Sequence, residues 1–214
     1  MKNLHSKLFR ISAVAAICLL SATVASAGSI GYSITINTSA LAGTQGFLDV
    51  QFNSGPDSQA ASAILAVFST DGSFPGDAPT VFGPVLGTLP GDLYMDNSPF
   101  TDYFQSFTFG NTIHFYVNFV GPAVDTPGGS QAGSTFGFGL WDSTGFIPLL
   151  TTDTSGGFVA RVDLNNDGTL THTNFPSNPE GGAPAAEFGA VPEPGTWLLA
   201  ASAFAFIAAR RRRA

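Results

Sequence analysis

Hydrophobic and polar residues alternate, with the two-residue period of a half-buried strand, at 30–36, 47–52, 60–69, 81–88, 103–109, 112–120, 135–141, 158–165 and 169–173. Clusters of Gly, Pro, Asn and Asp separate these stretches and mark turns. Nowhere between the two ends does a 3.6-residue period with capping residues appear. The pattern therefore predicts an all-β domain. Short strands without crossover helices predict a two-sheet antiparallel β-sandwich, with a jelly-roll-like winding as one arrangement of it. No repeat of 20–50 residues is present, which argues against a solenoid or propeller.

Two hairpins can be registered from the turns. Gly110-Asn111 suits a type II′ turn pairing Phe109 with Thr112. That register puts Ile113, Phe115, Val117 and Phe119 on one face with Phe104, Ser106 and Thr108. It gathers Tyr103, Gln105, Phe107, Phe109, His114 and Tyr116 on the other. In the second hairpin, a loop Asn166-Asp167-Gly168 with Gly168 left-handed sets Leu164 opposite Leu170 and Val162 opposite His172. Phe158, Ala160, Val162 and Leu164 then form an inner stripe, with Arg161 and Asp163 turned outward. Three further loops (125–128, 142–145 and 153–156) share the form Asp-x-x-Gly, the signature of a type I turn.

Both ends break this pattern. Lys2, Lys7 and Arg10 precede an apolar core at 11–20, followed by Ala25-Ser26-Ala27 before Gly28. This is the plan of a secretory signal peptide cleaved after Ala27, with Ala25 and Ala27 at the specificity positions and an N-terminal signal helix. At the other end, Pro192-Glu193-Pro194 precedes a short apolar stretch and Arg210, Arg211, Arg212 and Arg213. The prolines enforce an extended segment. The 15 residues from 195 to 209 reach about 22 Å as a helix, short for a hydrocarbon core of about 30 Å. The four arginines act as a cytoplasmic anchor, leaving the domain outside. The expected organisation is a signal peptide at 1–27, a β-sandwich at 28–175, a flexible Gly/Pro/Ala-rich linker at 176–190, and a sorting signal with a short C-terminal transmembrane helix at 191–214.

The ending, with its three parts in order over 191–214, resembles the PEP-CTERM sorting signal of Gram-negative bacteria that make exopolysaccharide. The resemblance implies that an exosortase, a membrane protease-transpeptidase, recognises Pro192, Glu193 and Pro194 and cleaves the tail. The body, with Phe-Thr-Phe-Gly-Asn opening the alternating run 107–120, is similar to uncharacterised PEP-CTERM proteins.

Charge narrows the partners. Only Arg161 is basic between residues 28 and 190, against fourteen acidic residues, a formal charge of −13. Such a surface cannot neutralise phosphates, which excludes nucleic acid and disfavours anionic headgroups. The single cysteine, Cys18, lies in the leader after Ile17 rather than the small residue a lipidation site needs, so the domain has no disulfide or thiolate chemistry.

Candidate chemistry in the domain is sparse. Asp163-Leu164-Asn165-Asn166-Asp167-Gly168 matches the opening of a calcium loop. Position twelve, however, is Asn174 instead of Glu, and strands flank the loop in place of helices. Thr169, Thr171 and Thr173 alternate as in ice-binding strands, on one short segment only. The face carrying Tyr103, Phe107, Phe109 and Tyr116 has the residue types that stack on sugar rings, but a sandwich also needs one such face for its core. Only His114 and His172 follow the leader, and no nucleophile-elbow, zincin or phosphate-loop motif occurs. No catalytic residue, metal or cofactor is assigned.

The expectation is a non-enzymatic exported protein processed by signal peptidase and an exosortase. It would pass through an inner-membrane-anchored intermediate to the outer surface or extracellular matrix, in association with exopolysaccharide or biofilm. The alternative is an extracellular glycan-binding module, with calcium as a possible aid.

Overall fold

The computed structural model describes residues 30–128 and 132–191. The expected signal helix and C-terminal transmembrane helix lie outside them. Among the described residues no helix is long and apolar enough to cross a membrane.

Two antiparallel six-stranded sheets face each other. Sheet A contains β1 (Ile30–Asn37), β3 (Ser62–Thr70), β5 (Val85–Gly87), β6 (Leu93–Asp96), β8 (Thr112–Val120) and β12 (Ala186–Ala190). Sheet B contains β2 (Gln45–Ser54), β4 (Thr80–Phe82), β7 (Asp102–Thr108), β9 (Ser134–Asp142), β10 (Phe158–Leu164) and β11 (Leu170–Asn174). The strand orders are β12-β1-β8-β3-β6-β5 and β11-β10-β9-β2-β7-β4.

The pairs β1–β8, β2–β7 and β3–β6 are those of one long hairpin rolled around the core, which is the jelly-roll weave. At its tip β4 and β5 part, one to the edge of each sheet. Gly83, at φ +71°, turns the chain between them and splits the single strand expected at 81–88. Strands β9 to β11 widen sheet B beyond the rolled hairpin, and β12 does the same for sheet A.

Alternation decides what fills the gap between the sheets. Leu48, Val50 and Phe52 of β2 and Phe136, Phe138 and Leu140 of β9 meet Ile34 and Ile36 of β1 and Ile113, Phe115, Val117 and Phe119 of β8. The phenylalanines interlock: Phe115 lies 4.7 Å from Phe138, and Phe119 lies 5.5 Å from Phe52, between ring centres. Each such side chain contributes about 1.5–3 kcal/mol by leaving water.

The expected 103–120 hairpin does not form. Strands β7 and β8 lie in opposite sheets, joined by an arch. The reason is burial: a hairpin places only one of the two apolar stripes inward, whereas the arch turns both to the core. Tyr103 and Phe107 face inward from sheet B, and Ile113 to Phe119 do so from sheet A. Gly110 lies outside the left-handed region that a II′ turn requires. Glycine is needed there because a Cβ would come within 2.2 Å of Asp71 Oδ1 and 2.4 Å of Gly72 N. Asp71 clamps the arch. Its Oδ1 accepts from the backbone N–H groups of Asn111 (2.7 Å) and Thr112 (3.0 Å), and its Oδ2 from Asn111 Nδ2 (2.6 Å).

The β10–β11 hairpin has the expected register, Leu164 opposite Leu170 and Val162 opposite His172, with Gly168 at φ +80°. Phe158 departs from the expected inner stripe. A bulge between Phe158 and Ala160 turns it outward, where its ring covers Gly137.

Part of the expected linker is strand. Residues 186–190 form β12 against β1, and Val191 N–H continues the contact to Gly31 O. The pairing completes an edge that β1 would otherwise leave open. Ala186 is buried, and Phe188 stacks on His172 at 4.5 Å while Tyr32 meets both rings edge-on, which seals that side of the sandwich.

Among the described residues Asp57, Val67 and Leu150 are the non-glycine positions with positive φ, and Val67 is the β-branched one. Val67 sits at φ +55° in the β3 irregularity that turns Phe68 into the core, and its own side chain is 64% exposed. A β-branched residue is disfavoured there by about 1–2 kcal/mol. Val67→Asn should raise stability by about 1 kcal/mol in chemical denaturation, whereas Phe115→Ala should lower it by about 3–5 kcal/mol.

Candidate functional site

Polar side chains collect on the outer face of sheet B. Leu48, Val50 and Phe52 point inward from β2, so Phe47, Asp49, Gln51 and Asn53 form a row on the opposite side. The row is linked: Asn53 Nδ2 donates to Gln51 Oε1 (3.0 Å), and Gln51 Nε2 donates to Asp49 Oδ1 (3.2 Å) and Oδ2 (2.9 Å). From β9 the Trp141 indole N–H donates to Asp49 Oδ2 at 3.0 Å. Gly137 and Gly139 leave room on β9 for two rings. A Cβ at Gly139 would lie 3.0 Å from Trp141 Nε1, and one at Gly137 about 2.3 Å from the Phe158 ring.

Asp102 of β7 stands diagonally across from Asp49, so two carboxyl groups share this face. Asp49 is 3% exposed. Burial, and secondarily the negative charge of Asp102, push Asp49 up to about 8 against the pull of the Gln51 and Trp141 hydrogen bonds. Burial also raises Asp102, while its hydrogen bond with Asp49 acts the other way. Burial of neighbouring carboxyl groups thus favours a protonated Asp49 at neutral pH. Asp102 Oδ1 is buried without a partner.

The two ends of the face differ. Towards the Asn53 end, two strands away on β10, Arg161 (level with Gln51) and Asp163 (level with Asn53) pair, Nε to Oδ2 at 3.1 Å, and the guanidinium lies over Phe175 with its carbon 5.7 Å from the ring centre. Thr135 Oγ1 donates to Asp163 Oδ1. At the opposite end Phe47 stacks on Phe104, 4.6 Å apart, beneath Gly145 of the β9–β10 loop.

The aromatic face expected from the hairpin is divided by the arch. Tyr103, Gln105, Phe107 and Phe109 are core residues, whereas His114 and Tyr116 lie on the outside of sheet A, with Thr35 Oγ1 3.1 Å from His114 Nδ1. Tyr103 is fixed internally: its hydroxyl accepts from Leu89 N–H at 3.0 Å and donates to Gln105 Oε1. His172 belongs to the edge seal. The calcium-loop carboxylates have structural partners: Asp163 holds Arg161 and Thr135, and Asp167 Oδ1 accepts from Thr169 N–H and Oγ1–H. Among the described residues no group of three or more His, Cys, Asp or Glu converges on a metal position. Asp142 and Asp153 brace their own turns, as the Asp-x-x-Gly form implies.

After β12 the sequence continues into the tail. Residues 190–213 match the family model of the PEP-CTERM protein-sorting motif. The chain carries a PEP-CTERM sorting signal. It marks an exported protein that is handed to an exosortase and passes through a membrane-anchored intermediate. Pro192, Glu193, Pro194 and Arg210, Arg211, Arg212 and Arg213 fall within the match but outside the described residues. Ala25 and Ala27, the expected signal-cleavage positions, also lie outside the described residues. No curated protein and no solved structure matches the chain.

The Asp49–Asp102 pair has a consequence for stability. Asp49 binds its proton more tightly folded than unfolded, so the stability this group contributes is full below about pH 4 and is lost as pH rises towards about 8. Stability should fall across that window by up to about 1.4 kcal/mol per pH unit. Asp49→Asn, which mimics the protonated acid, should flatten the slope and exceed the wild type in stability at pH 8, as followed by urea denaturation at several pH values. A slope unaltered by the substitution would assign the proton elsewhere.

Proposed function

We propose that this protein is a non-enzymatic component of the cell surface or extracellular matrix, associated with exopolysaccharide or biofilm. Signal peptidase removes residues 1–27. The exosortase then acts at the tail marked by Pro192, Glu193 and Pro194, while Arg210 to Arg213 hold the intermediate in the inner membrane. The match at 190–213 carries this reading.

The chemistry of the domain agrees with a role other than catalysis. Acid–base work needs a proton donor within reach of substrate, and the one strongly shifted carboxyl group, Asp49, is enclosed by Gln51, Trp141 and Asp102. Glycosidase carboxyl pairs flank an open cleft with the sugar between them, whereas Asp49 is buried, with its oxygens taken up by Gln51 and Trp141. A surface with one cation against fourteen carboxylates also stays soluble and resists binding nucleic acid released into a matrix.

Fractionation of cells expressing the full chain, with mass spectrometry of the mature termini, tests the itinerary. The expected product is extracellular, begins at Gly28 and lacks Arg210 to Arg213. Replacing Pro192, Glu193 and Pro194 together with Ala should leave a membrane-bound chain that retains the arginines. A domain that stays in the cytoplasm would refute the proposal.

A further inference from the structure

The end of the sheet B face opposite Arg161 opens into a cleft of about 160 Å³. Gln45 and Phe47 of β2, Ser106 and Thr108 of β7, Asp77 from the β3–β4 connection and Ser143 from the β9–β10 loop line it. The volume is that of about five liquid waters, so it admits one small ring and not an oligosaccharide.

Its chemistry is mixed in a particular way. Phe47 supplies an apolar wall held by its stack on Phe104. Pro75 and Phe107 add apolar lining, and the polar side chains are three hydroxyls, one primary amide and one carboxylate. Ser106 Oγ donates to Asp77 Oδ2 at 3.4 Å and Gln105 Nε2 to Asp77 O at 3.5 Å, so Asp77 is oriented although exposed. No cation lies among the lining residues, and the surrounding domain is strongly negative. An anionic ligand would meet Asp77 with nothing to neutralise either charge.

The cleft wall continues into a braced apolar tip. Asp142 Oδ1 accepts from the backbone N–H groups of Thr144, Phe146 and Ile147, each at 3.2 Å, and the backbone of Asp142 pairs with Ile147 O. This rigid loop presents Phe146 and Ile147 to solvent, 84% and 59% exposed. An aromatic held outward at this exposure is a poor core residue and a ready stacking surface.

We propose that the cleft binds one neutral pyranose unit of a polysaccharide, with the adjoining polymer crossing the Phe146 tip. An uncharged sugar offers both faces of the required chemistry: axial C–H groups for Phe47, and vicinal hydroxyls that donate to Asp77 and exchange hydrogen bonds with Gln45, Ser106 and Ser143. So few contacts give an affinity on the order of millimolar per site, which many units along a polymer and many protein copies raise by avidity. The proposal deepens the matrix reading and rests on the protein reaching the extracellular polysaccharide.

Retention of the purified full chain, in detergent micelles, on immobilised dextran, galactomannan and β-glucan tests it, with immobilised alginate as the anionic counterpart. Retention is expected on at least one neutral polymer, displaced by the same polymer in solution, and absent on alginate. Asp77→Ala and Gln45→Ala replace exposed side chains, and Phe146→Ala an 84% exposed one. Each should lower retention at least threefold without moving the thermal melting curve. Absence of retention on all three neutral polymers, retention on alginate alone, or wild-type retention of folded Asp77→Ala or Gln45→Ala overturns the site. Export and tail removal, followed in the same strains, report separately on the matrix reading: a chain exported and processed normally but unable to bind sinks only the cleft.

Discussion

The structure depends on two apolar stripes, one on each side of the β7–β8 arch, facing each other across the sandwich. Tyr103 and Phe107 point in from sheet B, and Ile113, Phe115, Val117 and Phe119 from sheet A. Pairing these strands in one sheet would turn one stripe to water. The clamp that prevents it is small: one exposed carboxylate, Asp71, gathering two backbone N–H groups and an amide over a glycine with no space for a Cβ. Hydrogen bonds from Asn111 and Thr112 hold the Asp71 carboxyl below its ordinary range. With no cysteine after Cys18, the domain relies on this buried phenylalanine layer for cohesion.

The period-two pattern made most of the strands legible, but not which face of 103–109 turns inward, because that depended on whether its partner lay in the same sheet or across the core. Strand partners were harder to read. Gly110-Asn111 looks the same whether glycine is needed for a left-handed turn or for a close approach to Asp71, and only the tertiary fold separates the two. The Asn166-Asp167-Gly168 loop had no such ambiguity, and its register was readable in advance. Strand β12 escaped notice since Ala, Gly and Glu have low strand propensity; what orders it is the open edge of β1 and the ring cluster of Tyr32, His172 and Phe188. Strand β6 is four residues long and had too few positions to show a period.

The sorting signal was the most legible feature because recognition there is by linear order: Pro-Glu-Pro, apolar stretch, arginines. The sheet B face was the least legible. Asp49 and Asp102 are 53 residues apart in sequence, and each occupies an outward strand position where a polar residue excites no comment. Nothing local reveals that Trp141 and Gln51 close over Asp49, whose burial favours the protonated acid. The useful signal would have been the pair of glycines at 137 and 139, which expose a strand face to rings from elsewhere.

The added strands explain why this face, and not the outside of sheet A, gathers such chemistry. The rolled hairpin β1–β8 brings the two sheets together by itself. Strands β9 to β11 extend sheet B beyond it and bring Trp141, the bulged Phe158, Arg161 and the Asp142-braced loop onto a single surface. The bulge turns a phenylalanine from core to cover over Gly137, and beside it Gln51 and Trp141 close over Asp49, whose ionisation works against stability above about pH 4. Simple structural reinforcement would favour an apolar pair at Asp49 and Asp102. Keeping the Asp49 carboxyl at the indole N–H instead fixes Trp141 by a directional bond, and with it the start of the loop that carries Ser143 of the cleft. The acid pair and the cleft are therefore successive steps of one construction along β2, from Gln51 through Asp49 to Phe47.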